Sequence, residues 1–171
     1  MNYNVHPIFV HFPIAFLLIY SFIKIVPLQK WFPNVAWVQI QRALLVVGVL
    51  GAFAALSTGE LAESLTMPDR QLVNMHSIFA NMSTWIFGLL LAGEALTVLL
   101  PILAQHLNLP KIFSLLTSVK NILTNKLLSG IFAFVGLIAI TITGLLGGVM
   151  VYGTSADPLA GFVLKILGID F

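Results

Sequence analysis

His6-Pro-Ile-Phe-Val-His11 stands at the head of an apolar run that continues to about residue 28. A run of this length satisfies the roughly 20 residues that a helix needs to cross the hydrocarbon core of a bilayer. Its head lacks the basic residues of a signal peptide, and no small-residue cleavage site follows it. The stretch therefore predicts a transmembrane helix with two histidines near the point where the chain enters the membrane.

The composition extends this interpretation to the whole chain. Of its 171 residues, 59% are hydrophobic and only 8% are charged, whereas soluble domains carry about 25% charged residues. The chain has no cysteine, which excludes thiolate metal sites and c-type haem attachment. It also has no basic patch of the kind that binds nucleic acid. We therefore predict an integral membrane protein.

Three more apolar runs complete a prediction of four transmembrane helices in a single domain, residues 1–171. The predicted spans cover residues 7–28, 38–58, 72–103 and 127–152. The spacings Gly51-xxx-Ala55 and Gly144-xxx-Gly148 are typical of membrane helices whose backbones approach closely. The predicted fold class is all-α, an integral membrane four-helix bundle.

The connections between the spans are also predicted. Residues 60–70 are polar and contain Pro68, which indicates a loop, and residues 112–123 are typical of an amphipathic interfacial helix. A short apolar segment in the tail suggests a second interfacial helix. Pro13 removes a backbone donor, so we expect either a kink there or a helix that begins at Pro13.

Lysine and arginine are distributed unequally between the two sides of the predicted bundle. Only Arg70 and Lys165 lie on the side of the termini, and the other side holds Lys24, Lys30, Arg42, Lys111, Lys120 and Lys126. Because basic loops stay in the cytoplasm, we expect both termini outside, with the protein in a bacterial inner membrane. Three of the four histidines then lie on the outer side.

A weak internal repeat divides the chain into two helical hairpins. His6-x-Ile8-Phe9 matches His76-x-Ile78-Phe79, and Thr58-Gly59 matches Thr143-Gly144. Two hairpins of the same topology are related by a pseudo-twofold axis along the membrane normal. The repeat predicts that His6 and His76 lie at equal depth and that Asn81 takes the place of His11.

Several of these motifs resemble a bacterial membrane family, domain-of-unknown-function family 2231. The resemblance spans nearly the whole chain and rests on four motifs: His6-Pro-Ile-Phe-Val-His11-Phe-Pro-Ile14, Thr58-Gly-Glu-Leu-Ala62, the helix head at His76, and Thr143-Gly-Leu-Leu-Gly-Gly-Val-Met-Val-Tyr152. Because similar domains sit beside c-type cytochrome domains, the resemblance implies electron transfer. It supplies no catalytic residue.

The histidines are the candidate cofactor ligands. A b-type haem takes one axial imidazole on each face, which two facing helices of a bundle can supply. His76 would pair with His6 or His11, but these two point about 140° apart on a helix. The repeat favours His6, and depth in the bundle favours His11. Glu60, at the end of the second span, would orient a ligating imidazole.

Copper is the competing cofactor. His6, His11 and His76 with Met75 and Met67 would offer nitrogen and soft sulfur donors. A hydrolytic zinc site is disfavoured because the chain lacks a His-Glu-x-x-His motif.

Glu94 is the one carboxylate far from a predicted loop. Because a charge there is costly in hydrocarbon, a neutral carboxyl bonded to helix backbone is the favoured interpretation, ahead of a proton relay or a quinone site.

Three hypotheses about function follow. The first is a small b-type haem protein that transfers electrons at the outer face of the membrane, with quinol or a cytochrome as partner. The second is a copper- or other metal-binding membrane protein, and the third is a cofactor-free structural or partner-binding subunit. A carrier or binding protein is favoured over an enzyme because no nucleophile–base pair stands out. Beyond contact with membrane lipid, the sequence leaves oligomer formation open.

Overall fold

The computed structural model describes residues 4–169, and within that range the chain forms helices and no strand. The α-helices are α1 (His6–Ile25), α2 (Leu28–Trp31), α3 (Trp37–Thr66), α4 (Arg70–His106), α5 (Pro110–Leu123), α6 (Lys126–Tyr152) and α7 (Ala160–Ile166). A 3₁₀ helix, Gly153–Ala156, separates α6 from α7. The predicted all-α fold is confirmed.

Helices α1, α3, α4 and α6 are long and apolar enough to cross a membrane. Helix α1 packs against α3 and α6, and α4 packs against the same two helices. Helices α1 and α4 therefore occupy opposite corners of a four-helix bundle, which confirms the predicted architecture.

Close helix approach in the core depends on glycines of α3 and α6. A Cβ atom on Gly48 would lie 2.5 Å from Leu17 Cδ2, and one on Gly136 would lie 2.8 Å from Phe87 Cζ. Leu17 and Phe87 are both fully buried. The Tyr20 and Phe87 rings meet edge to face across the bundle, with centroids 6.1 Å apart. These contacts fix the rotation of α1 and α4 about their axes.

The two ends of the bundle differ in chemistry. One end, here called the histidine end, contains the first turns of α1 and α4 and the last turns of α3 and α6. The opposite end, here called the basic end, contains six of the eight Lys and Arg residues. Most Lys and Arg residues are therefore at the end opposite His6 and His76, as the sequence predicts.

The boundary between α3 and α4 differs from the prediction. Residues 60–66 continue α3, so the predicted loop over residues 60–70 is wrong for most of its length. Glutamates and serines do not break a helix, and the hard stop is Pro68, which disfavours helical backbone at the residue before it. Met67 adopts a left-handed conformation (φ 46°). Asp69 then caps α4 by accepting hydrogen bonds from two backbone N–H groups.

Helix α1 begins at His6 and continues through Pro13, so the alternative in which it begins at Pro13 is wrong. Pro13 packs against α3, where Gly51 makes room for its ring: a Cβ atom on Gly51 would lie 3.1 Å from Pro13 Cδ.

The two short peripheral helices pack against the bundle. Helix α5 folds back along α4, where Leu123 lies against Gly93. At the histidine end, α7 buries Ala160 and Leu164 in a cluster with Leu72 and Leu146. The predicted tail helix therefore exists, and it also closes one side of the bundle.

Candidate functional site

His6 is held against the end of α3 through its Nδ1 atom. This atom lies 3.0 Å from the hydroxyl oxygen of Thr58, and the carbonyl oxygen of Ala55 also lies beside the ring. The Thr58 hydroxyl donates its own hydrogen to a carbonyl of α3, at 3.0 Å from Ala55 O or 3.1 Å from Ala54 O. With its hydrogen donated to α3, the Thr58 oxygen can accept the hydrogen of His6 Nδ1, and in that tautomer the Nε2 atom of a neutral His6 keeps its lone pair.

His76 is held in the same way against α6. Its Nδ1 atom lies 3.0 Å from the carbonyl oxygen of Thr143. A carbonyl can only accept, so Nδ1 is the donor and a neutral His76 carries its lone pair on Nε2. Imidazoles that ligate a metal usually donate their other N–H to a carbonyl or carboxylate in this manner.

The two histidines occupy equivalent places in the two hairpins. A Cβ atom on Gly59 would lie 3.8 Å from His6 Cε1, and one on Gly147 would lie 3.4 Å from His76 Cε1. Gly48, which faces Leu17, precedes Gly59 in the chain. Gly136, which faces Phe87, precedes Gly147 by the same number of residues. Both hairpins thus contain the same two contacts: a glycine against a buried side chain in the middle and a glycine against a histidine at the histidine end.

These contacts shift the register of the repeat that the sequence suggests. The residue equivalent to Gly59 is Gly147 rather than Gly144, and the carbonyl equivalent to Thr143 O is Ala55 O. The Thr-Gly match is therefore misaligned by three residues, because the dipeptide recurs by chance near the end of each helix. The match of His6 with His76 stands.

His11 points away from this pair. It is exposed, and its Nδ1 atom contacts the carbonyl of Pro7 in its own helix. Asn81 is also exposed and donates to Ser77 O, the carbonyl four residues before it, at 2.8 Å. The repeat correctly equates His11 with Asn81, and each side chain hydrogen-bonds to the backbone carbonyl four residues before it.

The His6 and His76 rings are close enough that a charge on one would be felt by the other. In the described residues 4–169, no group of three or more His, Cys, Asp or Glu side chains could hold a metal ion. The arrangement therefore offers one imidazole on α1 and one on α4, without a group of three protein ligands of these types.

The remaining candidate ligands lie outside this pair. Met75 packs against the apolar cluster around Leu72 and Leu146, and Met67 is 85% exposed in the turn before α4. Glu60 is exposed on α3, and the side-chain partner of His6 is Thr58 instead. The sequence missed Thr58 and Gly147 as neighbours of the imidazoles, although Thr58 lies in one Thr-Gly segment and Gly147 lies three residues after the other.

A second polar cluster lies inside the basic end. Glu94 accepts a hydrogen bond from Arg42 Nε at 2.9 Å, and Lys24 and Tyr20 lie within electrostatic reach of its carboxylate. Glu94 is therefore an ion-pair partner, and the favoured interpretation of a neutral carboxyl bonded to helix backbone is wrong. Arg42 and Glu94 lie 52 positions apart in the chain, so only the packing of α3 on α4 reveals the pair.

Together, the fold and the site define a multispan membrane protein, a four-helix bundle with paired imidazoles at one end and an ion-pair cluster at the other. No protein-family model matches the chain, and neither does any curated protein or solved structure. The resemblance to domain-of-unknown-function family 2231 is thus neither supported nor contradicted, and function is argued from the site.

Proposed function

We propose that this protein is a small electron carrier that holds a b-type haem between His6 and His76. The observation that carries the proposal is the matched pair of imidazoles, each anchored through Nδ1 to the second helix of its own hairpin. Such anchoring leaves both Nε2 lone pairs available and removes much of the rotational freedom that a ligand would lose on binding.

The donor set suits haem better than an isolated metal ion. A porphyrin supplies four equatorial nitrogens, so the protein needs to provide only two axial ligands. Zinc takes three or four protein ligands, and a blue-copper site takes a cysteine in addition to two histidines. Since residues 4–169 offer two imidazoles and no group of three His, Cys, Asp or Glu side chains that could hold a metal ion, the donor set fits haem better than zinc or a blue-copper site.

Haem would supply a one-electron couple in which iron alternates between its ferric and ferrous states. The chain would contribute the axial ligands His6 and His76, and the Thr58 hydroxyl and the Thr143 carbonyl would hold the proton on each Nδ1. Hydrogen bonds of this kind raise the basicity of the ligand and so tune the reduction potential.

The distribution of charge supports the placement of this site in the cell. The basic end holds six Lys and Arg residues, and such ends face the cytoplasm. The histidine end would then face the outside of a bacterial inner membrane, where a quinol or a cytochrome would exchange electrons with the site.

An absorption spectrum of the detergent-purified protein, oxidised and then reduced with dithionite, tests the proposal. We expect a Soret band and sharp visible bands after reduction when expression is supplemented with a haem precursor. Both His6→Ala and His76→Ala should lose these bands, and His11→Ala should keep them. A colourless wild-type protein from supplemented cells would overturn the haem assignment, and copper analysis of the same sample would then examine the second hypothesis.

A further inference from the structure

We propose that the cluster of Lys24 and Arg42 at the basic end binds the phosphate group of an anionic membrane lipid. The site lies between α1, α3 and α4, at the opposite end of the bundle from the histidines. The proposal does not depend on whether haem is bound.

The first argument is the way in which Arg42 is held. The guanidinium contacts Glu94 through Nε at 2.9 Å. Within residues 4–169, its two Nη groups make no hydrogen bond to another side chain. The Glu94 contact therefore orients the guanidinium and leaves its two Nη groups available. Paired N–H groups of a guanidinium can bind a phosphate in a bidentate manner. The Arg42 side chain remains 37% exposed, so a headgroup can reach it.

The second argument is the balance of charge. Lys24 lies within electrostatic reach of the Glu94 carboxylate, but its ammonium group forms no salt bridge with any carboxylate in the described part of the chain. The cluster therefore contains two cations and one anion. A phosphodiester carries one negative charge and would neutralise the excess positive charge between the helices.

The third argument is depth. The segment that joins α1 to α3 exposes Trp31 and Phe32, and Trp37 begins α3 about one and a half turns before Arg42. Aromatic side chains of this kind mark the level of the lipid headgroups. Lys24, near the end of α1, and Arg42, near the start of α3, are thus close enough to this level for their long side chains to reach lipid phosphates, on the side of the bundle that is rich in lysine.

Thermal unfolding of the purified full-length protein, followed as lipid is added, tests this proposal. The probes are dioleoylphosphatidylglycerol, dioleoylphosphatidylcholine and inorganic phosphate, and the rise in Tm with concentration gives an apparent affinity. We expect phosphatidylglycerol to raise Tm more than phosphatidylcholine does. Lys24→Gln should weaken the affinity for phosphatidylglycerol about fivefold, the effect of one cation at a lipid surface.

Two further variants separate lipid binding from a purely structural role. Glu94→Gln removes the anion of the cluster but keeps an amide oxygen that can accept from Arg42 Nε and so hold the guanidinium; it should therefore strengthen phosphatidylglycerol binding. Lys165→Gln, at the histidine end, is the matched control and should leave the affinity unchanged. Equal effects of the two lipids, or weaker binding by Glu94→Gln, would overturn the proposal. An equal response to inorganic phosphate would assign the site to free phosphate and reject the lipid.

Discussion

The backbone carbonyl of Thr143 on α6 accepts a hydrogen bond from Nδ1 of His76 on α4, at 3.0 Å. This contact determines which nitrogen of His76 carries the lone pair, since a carbonyl cannot donate. Its counterpart in the other hairpin joins His6 to the Thr58 hydroxyl beside the Ala55 carbonyl. Each hairpin thus positions one histidine of the candidate site in a similar way.

The first prediction separates the ligands from the other histidines. His76→Ala should abolish haem binding, because it removes one of two axial ligands, whereas His106→Ala should leave the reduced spectrum unchanged. His106 is exposed at the C-terminal end of α4, at the basic end. Absorption spectra of the two variants at equal protein concentration provide the measurement. Equal haem retention in both would remove His76 from the site.

The second prediction concerns the partner of His6. Thr58→Val removes the hydroxyl oxygen beside His6 Nδ1 and leaves this partly buried donor with only the Ala55 carbonyl beside the ring. We expect a loss of about 0.5–1.5 kcal/mol of stability, the net contribution of one hydrogen bond, measured as a lower Tm in detergent. Thr58→Ser keeps the oxygen and should recover most of that loss.

Thr143→Val is the matched control in the second hairpin. His76 donates to the backbone carbonyl of Thr143, which valine also possesses, and the Thr143 hydroxyl only bonds to Ala139 O in its own helix. This variant should therefore be milder than Thr58→Val. If Thr143→Val proved the more damaging of the two, the proposed roles of hydroxyl and carbonyl would be wrong.

The third prediction concerns the docking of α5 on α4. A Cβ atom on Gly93 would lie 2.8 Å from Leu123 Cβ, a clash that flexible side-chain ends cannot relieve. Gly93→Ala should therefore destabilise the protein by about 1–3 kcal/mol, in the range of an overpacked site. Thermal unfolding in detergent measures the effect.

Gly88 provides the control for this substitution in the same helix. Nothing lies within 4 Å of a Cβ atom there. Gly88→Ala should be neutral or should stabilise the protein by up to about 1 kcal/mol, the gain in helix propensity. Similar effects of both alanines would show that α5 does not pack closely on α4.

The fourth prediction concerns the ion pair at the basic end. Arg42→Gln leaves the Glu94 carboxylate, which is 24% exposed, without its partner, so we expect a lower Tm. The double variant Arg42→Gln/Glu94→Gln should recover part of the loss. A double-mutant cycle should give a coupling of about 0.5–3 kcal/mol, and a coupling near zero would show that the contact contributes nothing to stability.

The equivalence of His6 and His76 could be predicted from the sequence, but the register of the second helices could not. Short matches such as Thr-Gly recur by chance in apolar helices, whereas the contacts of Gly59 and Gly147 with the imidazoles align the hairpins directly. Similarly, the spacing of His6 and His11 shows that they diverge on a helix. Only the packing of α1 on α3 shows which of them faces inward.

The sequence by itself determined that this chain forms four long apolar helices with three of its four histidines at one end and six of its eight Lys and Arg residues at the other. Hydropathy and charge are properties of consecutive residues, so they can be read along the chain without knowledge of contacts. Only the tertiary structure decided that His6 meets Thr58, that His76 meets Thr143, and that Glu94 meets Arg42. These pairs depend on how far each helix is rotated about its axis and shifted along its neighbour, and close packing at Gly48 and Gly136 sets both.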